Sequence, residues 1–481
     1  MAEESCIVAV GADFRRVEAA LVDTSGRLVH IESAALPVVP RGGREYIDPA
    51  ALFGIAAGAI HELLERKPRE ARRVIGLSVI GRSTSVVPVT SGGATSPFSF
   101  PPADGGPHLP ADVPWDGIHD AVGLTRRRCE IPAAMRALAR GEGIFLTPKD
   151  YLKWALTGTF STDSLDAQRT YLWDLSKRAW SEELCGIFGV DVKRLPPVLS
   201  AADVVGAITA SASKATGLKE GLPVACGMGD WGEYLGAGAF DVGDAFEHIG
   251  ATGALYGVTD KRPRRELGLD TRPHIADGRY LVGREGLPGG ACLEWFLAGT
   301  YFSRGGEIDW KAVDEELEAI AAIGKPENVL FFPALGTDNA LISDGAFLNL
   351  RMQDNLASLI QGMIEGLFFS IKSVAEEVKR MSWELKAVYT TGKVAFKHAP
   401  RRMRANIYGA RLYAGRRSGA NVTSAAIVGA AAFGAFRTVP EAREAMLDID
   451  GGVGPVEDAR RLYEGHFASW AGTRDFLTSA R

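Results

Sequence analysis

Short apolar runs separated by turns characterise the beginning of the chain. Apolar residues at helical spacing predict a helix at residues 48–65, and Asp and Gly within residues 23–26 predict a turn. The runs have the length and composition of β-strands, and the last of them has the continuous apolar character of a buried strand. The predicted strands are residues 6–10, 18–22, 28–31 and 74–80.

The later part of the chain shows a similar coarse order. A strand beginning at residue 246 runs into a turn rich in Gly and Thr, and residues 352–380 carry the apolar stripe of a core-facing helix. Residues 175–188 are also predicted to be helical. Three strands, a helix and a further strand suit an actin-like (ribonuclease H-like) domain. The repeated strand–turn–strand order followed by helices indicates a duplicated fold.

Composition narrows the class of protein. A chain of 481 residues with 46% hydrophobic residues is expected to form two or three domains with large cores. The net charge of −5 argues against a surface for nucleic acid or acidic membranes. Five scattered cysteines without a CxxC pair support neither a disulfide framework nor a zinc site. The N-terminus lacks a signal-peptide pattern and apolar runs are short, so we expect a cytoplasmic protein.

One carboxylate stands out by its surroundings. Asp230 follows an apolar run at residues 222–226 and the glycine-rich turn Gly227-Met228-Gly229. Glycines allow close approach of other groups, and a carboxylate at the end of a buried strand is suited to general-base catalysis. Asp is equally a preferred N-cap residue, so a capping role explains the same pattern. The local sequence alone leaves both interpretations open.

Several fragments resemble, in order, the FGGY family of carbohydrate kinases. They include Pro-Lys-Asp-Tyr-Leu at 148–152, Leu-Thr-Gly at 156–158, Thr-Asp at 162–163 and Gly-Met-Gly-Asp at 227–230. Gly-Gly-Ala-Cys-Leu-Glu-Trp at 289–295 continues the series downstream. Each fragment is short, but their shared order covers most of the chain and is best between residues 146 and 260. The chain therefore resembles a divergent member of this family.

The resemblance implies an α/β fold with two actin-like domains and an interdomain cleft. Residues 1–240 would form the domain that binds sugar and carries the catalytic Asp, and residues 241–481 the domain that binds ATP. The implied activity is ATP-dependent phosphorylation of a small sugar, polyol or related polyhydroxylated compound, with Mg²⁺ as the metal. A homodimer and a place in carbohydrate metabolism are further expectations from the resemblance.

The resemblance also assigns roles to individual residues. Asp230 matches the general base of the family, and Trp231 beside it would line the sugar pocket. On the substrate side, Arg82 follows the strand at 74–80, and Trp115 and Asp116 lie in a Gly- and Pro-rich loop. The expected nucleotide-binding residues are Gly250, Ala251, Thr252 and Gly253 in a phosphate loop, and Gly392 and Lys393 in the adenosine loop.

Some of these motifs depart from the family pattern. Gly11 stands where the family has a metal-binding Asp, and Asp13 follows two residues later, on the same face of a strand. We therefore expect Asp13 and Asp230 to be the metal ligands. Ala251 replaces a hydroxyl residue, and Lys393 puts a side chain where the family has glycine.

These departures keep other functions open. A non-catalytic pseudokinase of the same fold, which binds a sugar or regulates a partner, is one alternative. Another actin-fold phosphotransferase or ATPase, such as an acetate-kinase-like or chaperone-like protein, is a second. The run at residues 146–260 does not fit the second alternative. The unchanged sequence around Asp230 favours a working kinase, whereas Gly11 favours the pseudokinase.

Overall fold

A computed structural model describes most of the chain. The described residues are 4–13, 15–41, 44–82, 85–90, 93, 95, 98–99, 143–170, 172–261, 269–300, 303–304, 307–323, 326–335, 344–392, 398–416 and 419–479.

The chain divides into two compact units that are discontinuous in sequence. Unit 1 comprises residues 1–236, 272–277 and 417–448, and unit 2 comprises residues 237–271, 278–416 and 449–481. The family domains predicted at 1–240 and 241–481 stay a prediction.

The strands, numbered in chain order, are β1 Cys6–Ala12, β2 Arg16–Asp23, β3 Leu28–Ala35, β4 Val39–Arg41, β5 Arg44–Ile47, β6 Val74–Gly81, β7 Val87–Val89, β8 Phe98–Ser99, β9 Ile144–Leu146, β10 Thr162–Asp163, β11 Trp173–Asp174, β12 Ala179–Trp180, β13 Val198–Leu199, β14 Val204–Ala207, β15 Pro223–Ala225, β16 Met228–Gly229, β17 Asp244–Ile249, β18 Thr252–Thr259, β19 Asp270–Pro273, β20 Tyr280–Pro288, β21 Ser303–Arg304, β22 Glu307–Ile308, β23 Leu330–Leu335, β24 Asp344–Leu348, β25 Ala387–Gly392 and β26 Arg411–Ala414.

The α-helices are α1 Pro49–Arg66, α2 Pro68–Ala71, α3 Pro148–Thr157, α4 Ser164–Arg169, α5 Glu182–Phe188, α6 Ala210–Thr216, α7 Glu233–Ala237, α8 Gly290–Ala298, α9 Trp310–Ile323, α10 Leu356–Lys379, α11 His398–Tyr408, α12 Ala420–Ala432, α13 Val439–Met446 and α14 Glu457–Ser479. Short 3₁₀ helices lie at Val192–Arg194 and Asp230–Gly232. A membrane-crossing helix, which would need a long stretch of apolar residues, is not found among the described helices.

The sheet of unit 1 confirms the predicted actin-like order of elements. Its strands run in the order β14-β15-β6-β1-β2-β3, and β16 also pairs with β6. The first three strands form the expected antiparallel meander, while β6 returns parallel to β1 after the helix α1. Buried residues of β1, β2, β6 and α1 form one continuous core beneath this sheet.

A helix of small residues covers the centre of the same sheet. In α12, a Cβ atom added at Gly429 would lie 3.0 Å from Ile7 Cγ2 and 3.1 Å from Ser78 Cβ. Larger residues on this helix face would push it away from β1 and β6, because protein interiors are close-packed. At the start of α12, Asn421 Nδ2 lies 3.2 Å from the Cβ position of Gly11. The space beside Gly11 is therefore already filled by an amide.

The prediction of a helix over residues 175–188 is wrong in its first half. The Asp174 carboxylate accepts hydrogen bonds from the backbone N–H groups of Ser176 and Lys177, which closes a turn instead. Trp173 and Trp180 then pair across an antiparallel ladder, and α5 begins only after Ser181, whose hydroxyl caps it. Local side-chain hydrogen bonds of this kind compete with helix formation.

Unit 2 is built around a second mixed sheet. Strands β20, β18, β17, β25 and β26 are neighbours in that order, with β17 antiparallel to β18 and parallel to β25. The long helix α10 begins four residues later than predicted, because the Asn355 side chain caps it by accepting from Ser358 N–H. Its buried residues, including Ile360, Met363 and Phe369, belong to the core of unit 2.

A buried lysine on α10 makes the stability of unit 2 depend on pH. Lys372 is 5% exposed and donates a hydrogen bond to the Ile407 carbonyl at 2.6 Å. Burial lowers the pKa of Lys372 from 10.5 to about 8. The unfolded chain therefore binds more protons than the folded chain between about pH 8 and 10.5, so the stability contributed by this group rises with pH in that window.

We expect this slope to disappear in Lys372→Met. Urea unfolding of the wild type and the variant between pH 7 and 10 measures the difference, which should favour the wild type increasingly as the pH rises. Lys311→Met, at a lysine whose side chain is 87% exposed, serves as the control and should keep the wild-type slope. Parallel curves for the wild type and Lys372→Met would contradict the prediction.

Candidate active site at the end of three parallel strands

Asp230 lies directly beyond a strand end in unit 1. The short strand β16 pairs parallel to β6, with Gly229 opposite Gly81, and Asp230 begins the 3₁₀ helix that follows. The N-cap position belongs to Gly229, and no side-chain hydrogen bond caps this helix. Asp230 is therefore not the N-cap of this 3₁₀ helix, and its carboxylate, 37% exposed, lies at the edge of the sheet.

The structure brings Asp13, Arg82 and Asp230 together. β1 pairs parallel to β6 with Ala12 opposite Gly81, so the residues after β1, β6 and β16 emerge at the same edge. Arg82 Nε lies 3.8 Å from Asp230 Oδ2, and Arg82 Nη1 lies 3.6 Å from Asp13 Oδ1. Three residues singled out from the sequence for different roles thus form one cluster.

The ion pairs in this cluster are weak, because their side chains are partly exposed to solvent. The side chains of Asp13 and Arg82 are 55% and 43% exposed, and exposed ion pairs contribute little to stability. Arg82 can therefore exchange either carboxylate for another partner at low cost. Within the described part of the chain, no group of three or more His, Cys, Asp and Glu side chains is arranged to hold a metal. Asp13 and Asp230 could supply two carboxylate ligands to a cation at this edge.

The turn that carries Asp230 depends on a glycine. Gly227 has a φ of +69°, and a Cβ atom at this position would lie only 2.0 Å from the Val79 carbonyl oxygen on β6. Any side chain would force the turn away from β6. The glycine-rich character of residues 227–229 is therefore a requirement of close packing between the turn and the sheet.

We expect Gly227→Ala to destabilise unit 1 much more than Gly221→Ala. Gly221 has a similar φ of +82°, but no atom lies within 4 Å of its Cβ position. The control thus carries only the left-handed backbone strain, about 1–2 kcal/mol, whereas Gly227→Ala adds a backbone clash. Urea unfolding of both variants measures the two losses. Equal losses would mean that the contact with Val79 does not matter.

Trp231 packs against an arginine that the sequence did not single out. The guanidinium of Arg272 lies 4.1 Å from the centroid of the Trp231 ring, a cation–π distance, and Arg272 is buried. Tyr234 next packs on His274 and accepts a hydrogen bond from the Ile275 N–H. Nothing in the local sequence around residue 272 indicates this contact, because the segment is distant along the chain.

A buried ionic network lies behind the same strands. It contains two lysines and three carboxylates, joined by Lys149–Asp150 at 2.8 Å, Lys149–Asp163 at 2.6 Å, Lys149–Asp166 at 3.2 Å and Lys153–Asp150 at 2.9 Å. All five side chains are 2% exposed or less. Lys149, Asp150 and Asp163 belong to fragments that resemble the family, but the sequence gave no reason to place the five residues together in the interior.

The predicted phosphate loop is a tight hairpin turn in unit 2. Gly250 and Ala251 connect β17 to β18, and the Gly250 N–H donates to the Thr252 carbonyl. The first two backbone N–H groups of α8 donate hydrogen bonds to this turn: Gly290 to the Gly250 carbonyl and Ala291 to the Ala251 carbonyl. The Cβ position of Gly289 is 2.5 Å from the Thr252 carbonyl carbon, so this contact requires glycine.

Gly392 lies beside this turn; its role in nucleotide binding stays a prediction. It pairs with Ile249 across β17 and β25, has a φ of +102°, and its Cβ position is 1.9 Å from the Ile249 carbonyl oxygen. His248 also contacts this turn, although the sequence gave no indication of it. Its Nδ1 is 3.0 Å from Thr391 Oγ1, and its Nε2 is 2.9 Å from the Cβ position of Gly250.

An apolar cavity lies against the same turn. Its volume is small, about 20 Å³, and it is lined by Ile249, Pro288, Gly289, Gly290, Leu293, Ile364, Leu367, Phe368 and Ile371. The cavity therefore adjoins the turn through Ile249 and the start of α8. Three predicted site residues, Trp115, Asp116 and Lys393, lie outside the described residues.

Sequence comparison relates the chain to sugar kinases. Residues 130–233 match the FGGY family of carbohydrate kinases, N-terminal domain. The chain is 26% identical over 338 residues to a xylulose kinase of Staphylococcus epidermidis, covering 68% of this chain and 65% of that protein. It is 26% identical over 332 residues to the L-xylulose/3-keto-L-gulonate kinase of Escherichia coli, covering 67% and 64%. The chain thus spans just under two thirds of the length of these curated relatives.

Solved structures show the same fold. A gluconate kinase from Lactobacillus acidophilus aligns with a TM-score of 0.84 over 99% of both chains at 19% identity. A xylulose kinase from Rhodospirillum rubrum aligns with a TM-score of 0.85 over 98% of this chain and 99% of that one at 20% identity. The predicted fold of two actin-like domains is confirmed. Together, the sequence matches and the shared fold make the chain similar to the FGGY family of carbohydrate kinases, with the family model itself matching residues 130–233.

Proposed function

We propose that the protein transfers a phosphoryl group from ATP to a hydroxyl group of a small sugar, polyol or related polyhydroxylated compound. The observation that carries this proposal is the cluster of Asp13, Arg82 and Asp230 at the ends of three neighbouring strands. Phosphoryl transfer needs mainly a positioned base and positive charge near the phosphates, and this cluster contains both kinds of group.

Asp230 acts in this proposal as the general base. Its carboxylate is partly exposed, so it can accept the proton from an acceptor hydroxyl that enters the edge of the sheet. Arg82 stabilises the ionised carboxylate and donates hydrogen bonds to the acceptor. The ring of Trp231, fixed from one side by Arg272, limits the position of the acceptor next to Asp230.

The donor set of the cluster fits Mg²⁺. This ion is usually held in nucleotide sites by one or two carboxylates together with phosphate oxygens and water, and Asp13 and Asp230 supply two carboxylates. Asp13 takes the place of the carboxylate that is missing at Gly11. Bound Mg²⁺ would neutralise negative charge on the transferring phosphoryl group. Arg82 adds a fixed positive charge to the same edge.

Unit 2 offers the groups that ATP binding requires. The turn from Gly250 to Gly253 and the neighbouring Gly392 let backbone approach phosphate oxygens, and Thr252 adds a hydroxyl. We include Lys393 in the adenosine loop as a candidate phosphate contact. A homodimer stays a prediction from the family.

The substrate class follows from the relatives and from the site. Relatives are named as kinases of xylulose, L-xylulose, 3-keto-L-gulonate and gluconate, which are all small polyhydroxylated compounds. Arg82 beside Asp230 suits an acceptor with several hydroxyl groups, because a guanidinium presents a fork of N–H donors.

The test is ADP release from Mg·ATP with a panel of ketoses, polyols and sugar acids. We expect one or a few compounds to turn over, and calorimetry to detect ATP binding. If no compound turns over and ATP does not bind, the kinase proposal is wrong and a non-catalytic role replaces it. Binding of a panel compound without ATP binding would be the specific sign of a pseudokinase.

A further inference from the structure

We propose that Lys153 is a positioning residue for Asp230: it holds the turn that carries the base by a hydrogen bond to the Cys226 carbonyl. This inference rests on the proposed function for its consequence in catalysis, but its structural part can be tested separately.

The contact joins a helix to the turn. Lys153, on α3, donates from Nζ to the Cys226 carbonyl oxygen at 2.9 Å, and its Nζ lies 3.4 Å from Cys226 Sγ. Cys226 directly follows β15 and immediately precedes Gly227, the glycine packed against the Val79 carbonyl. The position of the chain four residues before Asp230 is therefore set by a buried ammonium group.

The ammonium group is itself fixed. Lys153 and Asp150 are fully buried and lie 2.9 Å apart, and Lys149 contacts the same Asp150 oxygen at 2.8 Å. Burial opposes ionisation of Asp150, yet the neighbouring Lys149 and Lys153 hold its pKa below the ordinary value. Asp150 is therefore ionised at neutral pH. A buried lysine held by a carboxylate has little freedom to move.

The same network reaches the strand that carries Arg82. Lys149 Cβ lies 3.1 Å from the Cβ position of Gly81, the last residue of β6. Lys149 is fixed by Asp163 at 2.6 Å, whose other oxygen caps α4 through the Leu165 N–H. The network thus supports the two neighbouring strand ends that carry Arg82 and Asp230.

The consequence for catalysis is geometric. A shift of about 1 Å at a catalytic group costs up to about 10²-fold in rate. The other anchors of the turn are the N–H groups of Cys226 and Gly227, which donate to the carbonyls of Asp203 and Ala201, and the pairing of β16 with β6. Of these contacts, the Lys153 hydrogen bond comes from a side chain. Loss of the Lys153 contact should therefore loosen the turn without changing the groups that touch the acceptor.

The test variant is Lys153→Met combined with Asp150→Asn, which removes one charge of each sign and leaves the net charge of the network unchanged. Hydrogen exchange of peptides covering residues 226–232 is measured by mass spectrometry. The control is Lys372→Met in unit 2, which removes another buried lysine that donates to a backbone carbonyl. We expect exchange at 226–232 to rise about tenfold or more in the double variant and to stay at the wild-type rate in the control.

Kinetics with an acceptor found in the panel give the second readout. The double variant should lose about tenfold or more in kcat with the acceptor KM nearly unchanged, because the base is displaced while the binding groups remain. Lys153→Arg keeps a positive charge beside Asp150, but the planar guanidinium cannot reproduce the hydrogen bond of the compact ammonium group to the Cys226 carbonyl. It should therefore show a smaller rise in exchange and a smaller loss of kcat than the double variant. If the double variant does not fold, the same measurements on Lys153→Arg test the proposal.

Unchanged exchange at residues 226–232 in both variants, or a rise that Lys372→Met matches, overturns the proposal. So does a variant whose KM rises while kcat stays constant. If the wild type turns over no acceptor at all, the proposed function fails, whereas the exchange comparison still decides whether Lys153 holds the turn.

Discussion

Asp230→Asn should lower kcat by about 10²–10⁴-fold, because an amide cannot accept the proton of the acceptor hydroxyl. The change is nearly isosteric, and Asp230 neither caps its helix nor lies in the core, so the fold should be retained. Steady-state ADP release measures the loss, and calorimetry with the acceptor should show binding within a few-fold of the wild type.

Asp277→Asn is the matched control for this experiment. Asp277 also belongs to unit 1 and also pairs with an arginine, Arg178, but its side chain is 84% exposed and lies outside the cluster. Its activity should equal that of the wild type. Undiminished turnover in Asp230→Asn would show that Asp230 is not the base, even if the protein is a kinase.

Arg404→Met should destabilise unit 2 by about 3–5 kcal/mol, because it leaves a buried carboxylate without its charge partner. Arg404 on α11 is fully buried and forms an ion pair with Glu247, which also accepts a hydrogen bond from the Tyr408 hydroxyl. Burial lowers the pKa of Arg404 to about 10, so the guanidinium is still charged at neutral pH. Urea unfolding at pH 7 measures the loss.

A second variant separates the ion pair from simple packing. Glu247→Gln combined with Arg404→Met removes both charges and should recover most of the stability lost in the single variant. Arg402→Met, at an exposed arginine of the same helix, should change stability by about 0.5 kcal/mol or less. If the double variant is as unstable as the single one, the loss comes from the packing of Arg404 on the Phe368 ring, 4.9 Å away, and not from charge.

The Arg404 network also adjoins the proposed nucleotide site. Glu247 is three residues before Gly250, and Arg404 donates to the Thr390 hydroxyl, two residues before Gly392. We therefore expect weaker ATP binding in Arg404→Met.

Much of the local structure could be predicted from the sequence. The antiparallel meander, α1 and β6 follow from the spacing of apolar residues, because a period of two or of 3.6 residues reports which face is buried. The glycines at 227 and 392 indicated tight turns, and both have positive φ in the structure. Where a prediction is wrong, as at residues 175–178, a single Asp side chain outweighs helical spacing by bonding to nearby backbone N–H groups.

The sequence by itself determined the resemblance to the FGGY family, the first strands of the sheet in unit 1 and the choice of Asp230 as a candidate base. Only the tertiary structure decided which charges meet: Arg82 with Asp13 and Asp230, Lys153 with Asp150 and Cys226, and Arg404 with Glu247. The physical reason is that these contacts depend on strand order and not on local periodicity. Residues that follow β1, β6 and β16 become neighbours because those strands are parallel and adjacent, and nothing in the surrounding residues encodes that adjacency.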